Sequence, residues 1–324
     1  MRLPRTKALA LVFALVLSAG AAAQDYPARL IRIVVASGAG GPVDLTGRII
    51  AKKLSDAWGQ PVIVENRVGA SETIGTDAVA KSKPDGYTLL VVANPFTIAP
   101  AIFSKLPYDP VRSFETIAML TQTPMAVVAN PRAPFGSIKE LVARASAHPG
   151  EIAWASPGVG TMNHITGEQL AVKTGIKVLH VPYKDGSPAA ANGVMNGDVQ
   201  FGIIGLASAV PFAQAGKMKI LAVTTAKRTP LAPEVPSLAE LGVPGIDAAV
   251  RVGMYAPAGT PKEVIGKLNA EVNRILRDPA TEEQLARIGA DTYGSTTPEE
   301  HRAILNAIAA QIAEIVRQAN IKVE

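Results

Sequence analysis

Short apolar runs of four to six residues alternate along the chain with longer stretches whose apolar residues recur every three or four positions. The short runs read as buried strands and the longer stretches as amphipathic helices. Strands are predicted at 31–35, 61–65, 88–93, 125–129, 152–155, 178–181, 199–204, 220–224 and 252–256. Helices are predicted between them at 44–58, 138–147, 164–174, 188–196 and 207–215. Beyond residue 260 the pattern changes, and 260–277, 281–288 and 298–319 read as helices with no strand among them. In the last of these, Leu305, Ile308, Ile312 and Ile315 keep the spacing of a face packed on a core.

Alternation of this kind implies an α/β fold of mainly parallel sheets flanked by helices. The length is too great for one small core and suits two such domains. No Pro/Gly-rich linker divides the chain, so ordered segments are expected to cross between the domains near 123–130 and 248–255. The expected partition is a first domain of 24–123 plus 252–324 and a second of 124–251. The crossover strands would form the hinge of an interdomain cleft. Open α/β sheets hold ligands at the carboxyl ends of their strands, so the turns that follow strands are the places to look.

Three such turns share one chemistry. After the apolar run 31–35 the chain reads Ser37-Gly38-Ala39-Gly40-Gly41-Pro42, and Asp44 stands just inside the following helix. After 152–155 it reads Ser156-Pro157-Gly158-Val159-Gly160-Thr161, again leading into a helix. After 178–181 it reads Pro182-Tyr183-Lys184-Asp185-Gly186-Ser187-Pro188. Each turn offers backbone N–H groups, a small hydroxyl and the positive end of a helix dipole, which together suit an anion. Repetition of the device in both domains points to a carboxylate held in the cleft. A carboxylate at Asp44 is stabilised by the dipole, so a capping role outweighs direct ligand contact there. Phe96, in the loop after 88–93, is placed to stack on a ligand or to pack in the core. Arg251, on the second crossover, is a candidate charge-assisted grip for a second ligand carboxylate.

The N-terminus changes the picture. Arg2, Arg5 and Lys7 precede an apolar run at 8–17, and Ala21-Ala22-Ala23 form a small-residue cleavage site before Gln24. That is a signal peptide over 1–23, and it implies export to the periplasm. The apolar run falls short of the ~20 residues that a membrane span needs. Removing the leader lowers the formal net charge from +5 to +2, and no basic block follows. Nucleic acid is therefore not expected as a partner. The chain has no cysteine, which excludes disulfides, thiolate metal sites and a lipidated cysteine.

Rival chemistries fail on particular residues. Gly38-Ala39-Gly40 opens like a dinucleotide fingerprint, and Glu65 stands where a ribose-binding acid belongs. Val43, however, replaces the third glycine and Pro42 removes an N–H from the turn. No G-x-x-x-x-G-K-[ST] loop and no G-x-S-x-G elbow occurs. The four histidines (His148, His164, His180 and His301) form no H-x-x-x-H pair. His164 and Glu168 stand one helical turn apart with no third ligand evident from spacing. No cofactor, metal or catalytic residue is expected.

The ordered motifs resemble the periplasmic solute-binding receptors of the tripartite tricarboxylate transporter family. They run from YPARLIRIVV at 26–35, GGPVD at 40–44 and VIVENRVGA at 62–70 to KPDGYTLL at 83–90 and KLPYDPVRSFE at 105–115. ASPGVGTMNH follows at 155–164, then HVPYKDGSPA at 180–189, LAVTTAKRTPLAPEVPS at 221–237 and YAPAGTP at 255–261. The resemblance implies a type II, Venus-flytrap binding protein, monomeric and without catalysis. It would deliver a small carboxylate to a small and a large membrane subunit. It also implies that Ser37, Gly40, Gly41 and Asp44 face Ser156, Gly158, Gly160, Thr161 and the Tyr183, Asp185, Gly186, Ser187 loop across the ligand. The chain departs from the family at 36–39, in the first wall, and at 250–253, around Arg251. An exported enzyme or a ligand sensor on the same scaffold is the alternative.

Overall fold

The computed structural model describes residues 26–70, 72–93, 95–102, 105–183 and 186–321; the expected signal peptide lies outside the described residues. In chain order, β1 (Ile31–Val35), α1 (Pro42–Trp58), β2 (Val62–Asn66), α2 (Thr73–Ala80), β3 (Thr88–Val92) and α3 (Pro95–Ile102) build the first half. β1 lies between β2 and β3, parallel to both. The long strand β4 (Phe114–Ala129) then leads into α4 (Ile138–Ala147), β5 (Ala153–Ser156), α5 (Met162–Thr174), β6 (Leu179–Pro182), α6 (Ser187–Asn196), β7 (Phe201–Gly205), α7 (Leu206–Gln214) and β8 (Lys219–Val223). Here β5 lies between β6 and β7, parallel to both. β9 (Ala249–Pro257), α8 (Lys262–Leu276), α9 (Pro279–Arg287), the two-residue β10 (Asp291–Thr292) and α10 (Pro298–Gln318) complete the chain.

The two halves share a plan that is absent from the amino-acid sequence as a repeat. In each, the strand next to the third parallel strand comes from the other half and runs antiparallel to its neighbours. β9 lies between β3 and the first part of β4. The end of β4, from Met125 to Ala129, lies between β7 and β8. β4 therefore belongs to both sheets. It changes partners at Pro124, which pairs with Ala249, while Met125 pairs with Gly205. A proline has no N–H for the ladder, so it suits the residue at which one ladder stops and the next begins.

The hydrophobic pattern located the parallel strands but reached only the second part of β4. Register shifts between Thr116 and Ala118 and between Met119 and Thr121 break the alternation earlier in that strand. The short helices α2 and α3 were not predicted either; α3 carries an internal proline, Pro100, which masks its period.

The core of the first half packs Ile33, Val35, Leu89 and Val91 under Ile50 and Leu54 of α1 and Leu268 and Val272 of α8. Its other face is aromatic, with Phe96, Tyr108, Phe114 and Tyr255. In the second half Trp154, Phe201, Ile203 and Met125 pack under α4 and α5. The C-terminal helix α10 joins the halves. Near its start the buried His301 lies 3.2 Å from the Tyr255 hydroxyl, and further along Ile312 and Ile315 enter the core of the second half.

Candidate functional site

The first turn leaves β1 at Val35 and enters α1 through Gly41 as N-cap and Pro42 as first helical residue. Proline there gives up only an N–H that has no helical partner. Gly40 has a φ of 80° and donates its N–H to Asp44 Oδ2 at 2.8 Å. Asp44 is 1% exposed. Its Oδ2 also accepts from Arg48 Nε at 2.9 Å, and its Oδ1 accepts from Asn66 Nδ2 at 2.8 Å. Asn66 in turn donates to the Ser37 carbonyl at 3.0 Å. Burial pushes the Asp44 carboxyl up, but hydrogen bonds from Arg48, Gly40 and Asn66 outweigh it and hold its pKa below the ordinary value. Both of its oxygens are therefore engaged by the turn they organise.

Sequence reasoning missed Glu72. It follows β2 with a φ of 71°, in the left-handed region that side chains with a β-carbon seldom adopt. The Ser37 hydroxyl donates to Glu72 Oε1, and the Ala93 N–H at the end of β3 also donates to this carboxyl. Burial raises its pKa. The only sequence signal was an acid among the small residues between Gly69 and Gly75. By contrast, Glu65, the acid of the dinucleotide alternative, is paired with Arg32 at 2.8 Å and Arg67 at 2.6 Å.

The second turn repeats the first with different atoms. Gly160 has a φ of 78°, and its N–H donates to His164 Nδ1 at 3.2 Å, again four residues ahead. Thr161 caps α5 by accepting from His164 N at 3.2 Å, and its hydroxyl donates to the Gly158 carbonyl at 2.8 Å. Ser156, fully buried at the end of β5, accepts from Gly158 N at 3.2 Å and lies 2.7 Å from His180 Nε2. Burial pushes His164 down to about 4. His180 falls to about 3, through burial and then through its neighbour His164. Both rings are neutral at physiological pH, so no charge of their own opposes or attracts an anion. Beneath them, Gly167 lets α5 settle onto Trp154: a β-carbon at that position would lie 2.0 Å from the indole.

The third turn is tied to the second, because Tyr183 N donates to the Ser156 carbonyl at 2.9 Å. Gly186, with a φ of 82°, is the N-cap of α6, and Ser187 and Pro188 open that helix. The Tyr183 hydroxyl lies against Gly193 of α6, where a β-carbon would stand 2.1 Å from it. Asp185 lies outside the described residues.

Phe96 and Arg251 have other surroundings. The Phe96 ring is 2% exposed and packs against Tyr108, Phe114 and Tyr255 with centroid separations of 6.3, 5.3 and 4.8 Å. That is a packing position among aromatic rings, at the border of a cavity that Tyr108 and Leu305 also line. Arg251 is 6% exposed and donates from Nη2 to Asp247 Oδ1 at 2.9 Å. Its guanidinium lies 5.8 Å from the Tyr293 ring and lines a small cavity with Met162 of α5 and Ile312 of α10. A carboxylate of the protein itself thus occupies part of the fork that a ligand carboxylate would need.

One group of side chains has the composition of a metal site. Ligand atoms of His164, Glu168 and His180 lie within 4.8 Å of one another. Their arrangement does not fit a metal. The two imidazoles are stacked, with centroids 4.1 Å apart and planes inclined by 20°. An ion must lie close to the plane of each ring at about 2.0–2.1 Å from nitrogen, and near-parallel planes this far apart share no such point. His164 Nδ1 and His180 Nε2 are in addition occupied by Gly160 and Ser156.

The chain is similar to known proteins. Residues 46–321 match the model of the tripartite tricarboxylate transporter family receptor. The chain is 37% identical over 321 residues to a UPF0065 protein of Bordetella bronchiseptica, covering 99% of this chain and 94% of that protein. Among solved structures it is similar to the periplasmic binding protein BugD, with 34% identity and a TM-score of 0.72 over 92% of this chain and 99% of the other. Rpa4515 of R. palustris, determined with adipate, shares 31% identity and a TM-score of 0.76 over 92% and 99%. MatC of Rhodopseudomonas palustris, with bound malate, shares 29% identity and a TM-score of 0.71 over 90% and 100%. No helix among the described residues is long and apolar enough to cross a membrane. With its two-sheet α/β plan and the family model matched over 46–321, this chain belongs to the tripartite tricarboxylate transporter receptor family.

Proposed function

We propose that the protein is a periplasmic receptor that captures a small carboxylate between its two halves and hands it to the membrane subunits of a tripartite transporter. One observation carries this reading: each half places, after its first parallel strand, a turn whose positive-φ glycine is locked by a side chain four residues ahead. Two prebuilt turns at strand ends can grip a solute with little reordering, which is the economy expected of a binding site. Adipate in one neighbour and malate in another support a carboxylate as the solute class.

The walls divide the work. At the second wall, α5 and α6 present the positive dipole ends of their first turns, beside imidazoles that are neutral. A ligand carboxylate is placed there. The first wall closes over the opposite end of the ligand, with Gly40, Gly41 and Ser37 shaping its approach. Asp44 acts through the turn and not on the solute. Closure about β4 and β9 would bury the ligand and bring both halves into one face for the permease.

Thermal melting against a panel of organic acids tests the reading. A true ligand at about 100 times its Kd stabilises the fold by about 2.7 kcal/mol. Absence of a shift with every mono-, di- and tricarboxylate would remove the basis of the proposal.

A further inference from the structure

The halves are also joined outside the crossover strands, and differently on the two faces of the second sheet. On one face α10 buries Ile312 and Ile315 in the core that holds Met125, Phe201 and Ile203. Apolar burial of that kind makes a lasting joint. On the other face, where Ala126, Val128, Ile204 and Leu206 pack, the joint is slight, and the segment between α9 and α10 makes it. That segment is rooted in the first sheet. Asp291 of β10 pairs with Gln122 of β4, just before the change of partners at Pro124, and Tyr293 N donates to the Leu120 carbonyl at 3.1 Å. From this root it reaches the second half at Gly289 and at Asp291. Gly289, with a φ of 75°, stands so close to Ala207 at the start of α7 that a β-carbon on it would lie 2.4 Å from the Ala207 Cβ. Asp291 Oδ2 accepts from the hydroxyl of Thr229, a buried residue past the end of β8, at 2.6 Å.

Both contacts fall on the edge of the second sheet that faces the first half. β7 and β8 run antiparallel to the part of β4 that enters the second half, so their carboxyl ends point back at the first half. β5 and β6 run parallel with β7 and end on the same edge. Ala207 therefore follows β7 as Ser156 follows its neighbour β5. The contact with Gly289 sits at the inner corner of the cleft, between the crossover and the second turn. One hydroxyl–carboxylate bond and one van der Waals fit are slight enough to break and re-form with each solute. The fit is also a hard limit, because glycine leaves no side chain to yield.

Resting on the capture reading above, we infer that Gly289 and Asp291 are positioning residues for capture: with Ala207 and Thr229 they form the stop that fixes the angle at which the second wall meets the first. Glycine at 289 lets the halves approach until backbone meets Ala207, and the Thr229–Asp291 bond holds them there. Neither residue touches the solute; both act on it through the angle of the closed cleft. Losing the stop leaves each wall intact but lets the cleft reopen, so the solute leaves sooner while its rate of entry is unchanged.

Pulsed electron–electron resonance on the mature chain reads the angle, because the chain has no cysteine and only introduced ones are labelled. Ala57→Cys near the end of α1 and Val172→Cys near the end of α5 put one exposed label on each half. The probe is whichever of succinate, malate, adipate, citrate and benzoate binds the labelled parent tightest by titration calorimetry. With it bound, Thr229→Val and Asp291→Ala should each shift or broaden the distance. Each should weaken binding by about fivefold through faster dissociation, and the double variant should lose no more than either alone. Ala207→Leu crowds the fit from an exposed position of α7; it should shift the distance and weaken binding by about tenfold, whereas Ala207→Ser should do neither. Parent distance and affinity in Thr229→Val and Ala207→Leu, with the fold retained by circular dichroism, overturn the inference and leave carboxylate capture standing. So does a loss in the double variant equal to the sum of the single ones. Failure of all these acids to bind the parent counts against the capture reading instead. The stop is then read without solute, where Thr229→Val should broaden the distance distribution and an unchanged distribution overturns the stop as well.

Discussion

The first and second turns solve the same geometric problem with opposite electrostatics. In both, a glycine near φ 80° gives its N–H to a side chain four residues on, Gly40 to Asp44 and Gly160 to His164. The first acceptor is a buried carboxylate, and it draws in Arg48 and Asn66 to balance its charge. The second is a neutral imidazole stacked on another and backed by Trp154, so packing does what an ion pair does in the first. The consequence is functional. A carboxylate placed inside the first turn of α1 already neutralises that dipole, whereas the N-terminus of α5 meets no acid of its own. The dipole of α1 is thus already neutralised from within, and that of α5 is not.

The largest effect that would break this comparison comes from Asp44→Ala. It leaves Arg48, Asn66 and the Gly40 N–H without their shared acceptor, and a loss of about 2–3 kcal/mol in urea unfolding is expected, as for hydrogen bonds left unmade. Gly167→Ala strikes the second turn through its packing, because the new methyl collides with Trp154. A loss of about 2 kcal/mol is expected by the same measurement, as for an overpacked core.

Acid separates the turns. His164 and His180 are neutral in the fold, with pKa values near 4 and 3, and titrate near 6.5 when unfolded. Their contribution is intact above pH 6.5 and falls as the pH drops toward 4, by about 1.4 kcal/mol per pH unit for each ring. Asp44, with its pKa lowered, contributes stability that is lost only below the ordinary carboxyl range. Unfolding at pH 7 and pH 5 should therefore show a drop that His164→Gln reduces and Asp44→Asn does not; His180 and His301, both buried and low, supply the remainder. The smallest effect is that of Thr161→Ala, which removes the α5 cap and should cost about 1 kcal/mol.

The turns were legible in the sequence because they are local. A strand, two or three glycines and a helix start lie within a dozen residues, and both the period change and the glycines survive any tertiary context. The crossover of β4 was half legible: Met125–Ala129 is a clean apolar run, while the bulges before it hide the rest. Leu305, Ile308, Ile312 and Ile315 marked a packed face correctly, but nothing local says that the face spans both halves. Phe96 and Arg251 were read from their place after a strand and on a crossover, and such a place does not decide which way a side chain points. Glu72 escaped because its significance is wholly non-local. Its strained backbone and its contacts with Ser37 and Ala93 exist only when three strand ends come together.

The most direct test strains each turn separately and asks both to hold the same solute. Gly40→Ala and Gly160→Ala each place a β-carbon at a φ near 80°, a conformation that costs an L-residue about 1–2 kcal/mol. Titration calorimetry with the tightest carboxylate from the melting panel should show each variant weakened by about tenfold, with the fold retained by circular dichroism. Normal affinity in either variant would contradict the account, for it would mean that one of the two turns has no hand on the ligand.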